Sequence, residues 1–266
     1  MNLKKWLAPV LVGILAIGIA GCGTDSSSKE IRIGATAGPH AEVVEAVAKE
    51  AAKEGINVKV VEFSDYVTPD KALAEGDLDL NSYQHVPFME NFNKNNNANL
   101  VSIGKTILLP MGLYSNQYKD LATVPNGASV AIPNDPTNGG RALLLLQQAG
   151  LIQLKDGGSP KSTVADITSN PKNLQIKELE AAQIARSLND VDIALVNTNY
   201  ALNAGLNPLK DAVVVESKDS PYANVFVVRQ GDENNETIKK LLAVYQSDAT
   251  KKFVEDTFKG SIIPAF

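Results

Sequence analysis

Two hydrophobic periods take turns along this chain. Residues 31–34, Ile-Arg-Ile-Gly, alternate apolar and polar and stop at glycine, which predicts a short strand. Pro39 opens a stretch to residue 54 in which Val43, Val44, Val47 and Ala51 fall on one face of a helix. Proline suits the first turn of that helix, and Gly55 suits its stop. Residues 56–62 are β-branched and alternating, a second strand. Residues 69–75 read as a short helix ended by Gly76, 78–80 as a third strand, 86–97 as a helix running into an Asn-rich loop, and 100–109 as extended.

The alternation then starts again. Residues 129–132 read as a strand, 133–138 as a loop, and the stretch to Gln148 as a helix whose Leu143, Leu144, Leu145 and Leu146 form a buried face. A polar, turn-rich connection spans 155–171. Strands follow at 174–179, 191–196, 213–216 and 225–229, with helices at 181–188, 198–204, 233–246 and 249–258. Strands alternating with helices predict an α/β architecture with covered sheets. The two blocks suggest two lobes with a ligand cleft between them, near the carboxyl ends of the strands. No short-period repeat is present.

The first residues change the picture. Lys4 and Lys5 precede a mostly apolar run over 6–20, which ends in Ile19-Ala20-Gly21-Cys22. A positive start, an apolar middle and small residues at the end mark a secretory signal over 1–21. The cysteine after the small residues resembles a bacterial lipobox, in which it is lipidated and becomes the mature N-terminus. A membrane-spanning anchor is the competing reading, but the run is short for a span of ~20 residues. Residues 22–30 then form a lipidated terminus and a Gly/Ser/Thr/Asp-rich tether. The expected location is the cell membrane, on its extracytoplasmic face.

Composition narrows the function classes. A net charge of −5 gives no basic footprint for nucleic acid. Cys22 is the only cysteine, so no disulfide forms within one chain, and the fold rests on its core. About 245 residues remain after the signal, enough for two lobes with cores of their own.

The loop Pro133-Asn134-Asp135-Pro136-Thr137-Asn138-Gly139-Gly140-Arg141 carries the clearest chemistry. Thr137 or Asn138 can cap the following helix, which places Arg141 in its first turn. A cation there opposes the helix dipole by a few tenths to about 1 kcal/mol. Free N–H groups and a guanidinium suit an anion, and a guanidinium grips a carboxylate through two parallel bonds. The Gly-Lys-Ser/Thr ending of a phosphate loop is missing, so a carboxylate is the better match. A solvated arginine is the plain alternative. Polar and aromatic residues interleave in Asn81-Ser82-Tyr83-Gln84-His85-Val86-Pro87-Phe88, and Tyr66 and Tyr114 stand in similar positions after strands. Each aromatic alone reads more readily as core than as a ligand contact, and their shared position at strand ends favours the set. Asn197 and Asn224 offer carbonyl oxygens to an ammonium group, although Asn197 could simply cap a helix. An arginine opposite such oxygens fits the zwitterion of an α-amino acid.

These stretches resemble the methionine-binding lipoprotein family, the receptors of methionine ABC importers. The resemblance is carried by Gly34-Ala35-Thr36-Ala37-Gly38-Pro39-His40-Ala41-Glu42, Asp65-Tyr66-Val67, Gln84-His85-Val86-Pro87-Phe88, the Arg141 loop, and Asp219-Ser220-Pro221-Tyr222-Ala223-Asn224. It implies a two-lobed periplasmic-binding-protein type II fold, with 31–110 plus 225–266 as one lobe and 111–224 as the other. It implies a monomeric receptor that captures methionine, in its L form, and delivers it to a membrane permease with a cytoplasmic ATPase, held by a lipid such as palmitate on Cys22. It implies Arg141 on the carboxylate with Asn138 nearby, Asn197 and Asn224 near the ammonium, and Tyr66, Tyr83, His85 and Phe88 around the thioether, with Tyr114 a further candidate. Aromatic edges hold such a sulfur favourably. The family pattern allows Phe where this chain has Tyr83, and the extra hydroxyl is expected to adjust side-chain preference. His40 has no role beyond the helix start.

An enzyme is the first rival. His40 and His85 lack metal-ligand spacing, no Gly-x-Ser-x-Gly elbow occurs, and Asp77 and Asp79 flank a turn. No catalytic residue, cofactor or metal is expected. A structural lipoprotein is the second rival, and needs no Arg141 loop. D-methionine, a methionine-containing dipeptide or another amino acid would keep the class and change the ligand.

Overall fold

A computed structural model describes residues 30–266. The expected export signal, the expected lipidation site Cys22 and the expected tether up to residue 29 lie outside these described residues. The chain first forms β1 (Ile31–Thr36), α1 (Pro39–Lys53), β2 (Val58–Phe63), α2 (Thr68–Glu75), β3 (Leu80–His85), α3 (Val86–Asn96), β4 (Leu100–Lys105) and β5 (Ile107–Leu108). It continues through β6 (Gly112–Tyr114), β7 (Ser129–Pro133), α4 (Pro136–Gln148), β8 (Gln153–Leu154), β9 (Ile167–Ser169), β10 (Gln175–Leu179), α5 (Ala181–Ser187), β11 (Ile193–Val196), α6 (Thr198–Asn203) and β12 (Val214–Val215). It closes with β13 (Asn224–Arg229), α7 (Glu236–Tyr245), α8 (Asp248–Phe258) and β14 (Ile263–Pro264).

Two five-stranded sheets build the two lobes, ordered β2-β1-β3-β13-β4 and β10-β7-β11-β6-β12. In each, the first three strands run parallel and the fourth is antiparallel to both its neighbours. Both antiparallel strands lie next to a crossing. β6 follows the first passage between lobes, and β13 follows the second. The lobes therefore share one topology, a repeat of architecture with no counterpart in sequence period.

Each lobe has its own core. Val43, Val44, Val47 and Ala51 of α1 are all fully buried against Ile33, Phe226, Leu241 and Val254. In the second lobe, Leu143, Leu145 and Leu146 pack with Val130, Ile132 and Leu195, while Leu144 is only partly buried. Burying each such aliphatic side chain contributes roughly 1.5–3 kcal/mol. Gly140 lets α4 approach the loop below it, since a Cβ there would lie 2.4 Å from the Pro160 carbonyl oxygen.

Four local expectations need correction. β3 begins at Leu80, where the short strand was expected to end, and runs through Asn81 to His85. Its polar side chains lie between β1 and β13, and burial with partners replaces the apolar alternation that normally marks a strand. Met111–Ser115 does not start the crossing, because Gly112–Tyr114 is already β6, paired to β11 and β12. Asp135 caps α4 in place of Thr137 or Asn138, its Oδ1 accepting from the Asn138 amide at 2.9 Å. The connection at 155–171 contains β9, paired to β8.

Candidate functional site

A cavity lies between the lobes where β3, β11 and β13 meet the starts of α1, α3, α4 and α6. It is small, with about 30 Å³ of free volume. Arg141, Asn138, Asn197, Asn224, Tyr66, Tyr83, His85 and Phe88 all line it. Tyr114 does not. Its side chain is 1% exposed in the second lobe's core with Ala131, Ile184 and Ala194.

Because the helix begins at Pro136, Arg141 stands in the second turn of α4, where the dipole opposes it less than at the first. Its guanidinium is gripped by Glu216, which follows β12. Nε donates to Oε1 at 3.0 Å and Oε2 at 3.1 Å, and Nη2 donates to Oε2 as well. Nη2 also donates to the Leu109 carbonyl at 2.8 Å. Leu109 and Glu216 belong to the two crossings, so Arg141 is tied to both. The guanidinium carbon lies 4.6 Å from the ring centre of Tyr222. Nη1 takes part in none of these bonds.

The amides divide into those that hold the site and those with free atoms. Asn138 is fully used: Nδ2 donates to both oxygens of Asp135, and Oδ1 accepts from Asn197 Nδ2 at 2.8 Å and from His85 Nε2 at 3.4 Å. It links the lobes and has no atom to spare. Asn197 heads α6 but makes no side-chain capping bond, which removes its plain reading as a cap. Its Oδ1 is buried without a partner, as are Gln84 Oε1 and Asn199 Nδ2 on the same lining. No carboxylate stands among the lining residues. A cationic group here would meet amide oxygens, and an anionic one Arg141.

One wall is aromatic. Tyr66 lies 6.0 Å from both Tyr83 and Phe88, and His85 lies 6.2 Å from Phe88. Tyr66 also meets Tyr200 of the other lobe at 4.9 Å and donates its hydroxyl to Asn199 Oδ1 at 2.6 Å. The Tyr83 hydroxyl donates to the Tyr66 carbonyl at 2.6 Å, so it braces the wall. Burial raises the pKa values of both phenols well above their usual range, so both stay neutral. Burial likewise lowers the pKa of His85 to about 3, and Arg141 adds to the effect.

Sequence reasoning missed His40, Gln84, Asn199 and Glu216. Gln84 and Asn199 stood inside stretches already singled out. Nothing local marks Glu216, whose partner lies 75 residues away. Among the described residues, no group of three His, Cys, Asp or Glu side chains is placed to share a metal ion.

Comparison with known proteins agrees with this architecture. The D-methionine-binding lipoprotein MetQ of Salmonella typhi is 47% identical over 258 residues, covering 95% of this chain and 94% of that protein. A nutrient-binding protein from Burkholderia cenocepacia, solved bound to methionine, superposes with a TM-score of 0.86 at 50% identity, covering 89% of this chain and all of the other. An ABC transporter periplasmic substrate-binding protein from Coxiella burnetii superposes with a TM-score of 0.86 at 45% identity, covering 88% and 100%. Residues 31–266 match the NlpA lipoprotein family along their whole length, and the chain belongs to that family.

Proposed function

We propose that this protein is the lipid-anchored receptor of an ABC importer and captures methionine, in its L form, in the cleft between its lobes. The observation that carries this reading is the polarity of one enclosed cavity: a guanidinium, unpartnered amide oxygens, and an aromatic wall, with no acidic side chain among its lining. That arrangement complements a carboxylate, an ammonium and an apolar side chain in one small molecule. Arg141 takes the carboxylate, Asn197 and Asn224 the ammonium, and Tyr66, Tyr83, His85 and Phe88 the thioether, while Asn138 holds the two lobes in register. The lobes comprise 31–110 with 225–266, and 111–224, with β13 starting at Asn224 one residue ahead of that boundary. The protein is a monomer that performs no catalysis. A lipid on Cys22 holds it on the extracytoplasmic face of the membrane, and it passes its ligand to a permease driven by a cytoplasmic ATPase.

Isothermal titration calorimetry of the purified protein with L-methionine, D-methionine, a methionine dipeptide and leucine tests this reading. Saturable one-to-one binding is expected, tightest for L-methionine. No heat with either methionine isomer would overturn it.

Ligand enclosure has a visible lever at Gly38. Its φ is +85°, and a Cβ there would lie 1.9 Å from Asn203 Oδ1 of the opposite lobe. Asn203 in turn donates to the Ala37 carbonyl across the interface at 2.9 Å. Gly38→Ala is expected to strain the backbone by about 1–3 kcal/mol and to force Asn203 out of this contact. Urea unfolding checks the first effect. Calorimetry checks the second, expected as a rise in Kd of roughly tenfold for one lost interlobe hydrogen bond.

A further inference from the structure

We infer that His40 is a positioning residue that fixes the side-chain amide of Asn224, so that its oxygen faces the ligand's ammonium group. The inference rests on the methionine reading above. An Asn amide can present either its nitrogen or its oxygen, and its partners decide which. Here Asn224 Nδ2 has two partners, the Tyr83 carbonyl at 2.8 Å and His40 Nε2 at 2.8 Å. A carbonyl only accepts, so Nδ2 must donate to it. His40 Nε2 must then accept as well, and the ring carries its proton on Nδ1. That nitrogen lies 2.7 Å from Thr36 Oγ1, which accepts it. The chain Thr36–His40–Asn224 thus has one consistent direction, and Asn224 Oδ1 takes part in none of its bonds while the residue lines the cavity.

The surroundings hold this arrangement. Thr36 ends β1, His40 lies in the first turn of α1, and Asn224 opens β13, so three elements fix the geometry. His40 is 3% exposed. Burial lowers its pKa to about 3, so the ring remains neutral and Nε2 remains an acceptor. A protonated ring would turn an N–H toward the amide N–H and drive the amide over. His85 is wired the opposite way: its Nδ1 accepts from the Phe88 amide at 3.2 Å, which puts the proton on Nε2. The two histidines of the chain therefore carry opposite tautomers.

The test compares two ligands. L-methionine has an ammonium group, and 4-(methylthio)butanoate has the same carboxylate and thioether without one. His40→Leu removes the acceptor, and is expected to weaken L-methionine by about 10- to 100-fold, the range for a lost hydrogen bond to a charged group. The analogue should change less than about twofold, since no ammonium is involved. His40→Gln restores an acceptor near the Nε2 position and should recover most of the methionine affinity. Equal weakening of both ligands by His40→Leu, or of neither, would overturn the positioning role. A native protein that binds neither ligand overturns the methionine reading and this inference with it. Imidazole nitrogen NMR of the native protein tests the wiring without any variant. One Nδ1–H and one Nε2–H ring are expected between pH 5 and 8, and two rings of the same tautomer would refute the inference.

Discussion

Replacing Arg141 with alanine is expected to raise the Kd for L-methionine by roughly a thousandfold, a loss of about 4 kcal/mol. The ligand carboxylate would lose its only cationic partner on the cavity lining. The same change strikes the fold, because Glu216 would be left with a buried, unpaired charge; the two side chains are only 5% and 13% exposed. Breaking a buried pair from one side costs about 3–5 kcal/mol. The Arg141→Ala, Glu216→Gln double variant separates the two effects. It should regain much of the lost stability in urea unfolding, since no charge is stranded, and it should bind methionine as weakly as the single variant. Recovery of affinity in the double variant would show that Arg141 acts only through the ion pair, and would refute its role on the carboxylate.

The second large effect concerns Asp70 of α2, a fully buried carboxyl behind the aromatic wall. Its Oδ1 accepts from Asn81 Nδ2 at 2.8 Å and from Gln84 Nε2. Burial raises its pKa from 3.8 to about 6, against the opposing pull of those amides. A carboxyl that holds its proton more firmly in the folded chain stabilises the fold fully below about pH 4, and that contribution is lost as the pH rises through about 6. The gap corresponds to ~3 kcal/mol. Asp70→Asn keeps an oxygen for both amides and cannot ionise. Its stability relative to the native protein should therefore improve by about 2.5 kcal/mol between pH 4 and pH 7.5. Parallel stability curves for the two proteins, measured by urea unfolding across that range, would show that Asp70 ionises normally.

The helices were readable wherever their apolar faces were long. Val43, Val44, Val47 and Ala51 in α1 occupy the buried face that their spacing predicts. Gly76 ends α2 in the left-handed region at φ +88°, as its type suggests. β3 was less readable, because Asn81, Ser82, Gln84 and His85 are buried by partners and not by hydrophobicity. β6 has only three residues, too few to show a period. At the cavity, the Arg141 loop and the aromatic set stood out through residue type and position after strands. Tyr114 met the same criterion and belongs to the core, since position after a strand does not say which side of a sheet a ring occupies. Glu216 and His40 could not be assigned from sequence. Their roles come from contacts over 75 and 184 residues, which no local pattern encodes.

The shared topology of the two sheets has a consequence for how the chain matures. β3 pairs on one side with β1 and on the other with β13, which begins only at Asn224. Until that residue has been made, β3 presents a bare edge, and β4 has no neighbour in the sheet. An unpaired edge is a template for wrong partners. The first lobe to be synthesised is thus the last to be finished, and without β13 it is not a self-sufficient folding unit. Completion waits for a strand that arrives after the entire second lobe, so a truncated chain leaves its amino-terminal half open to mispairing.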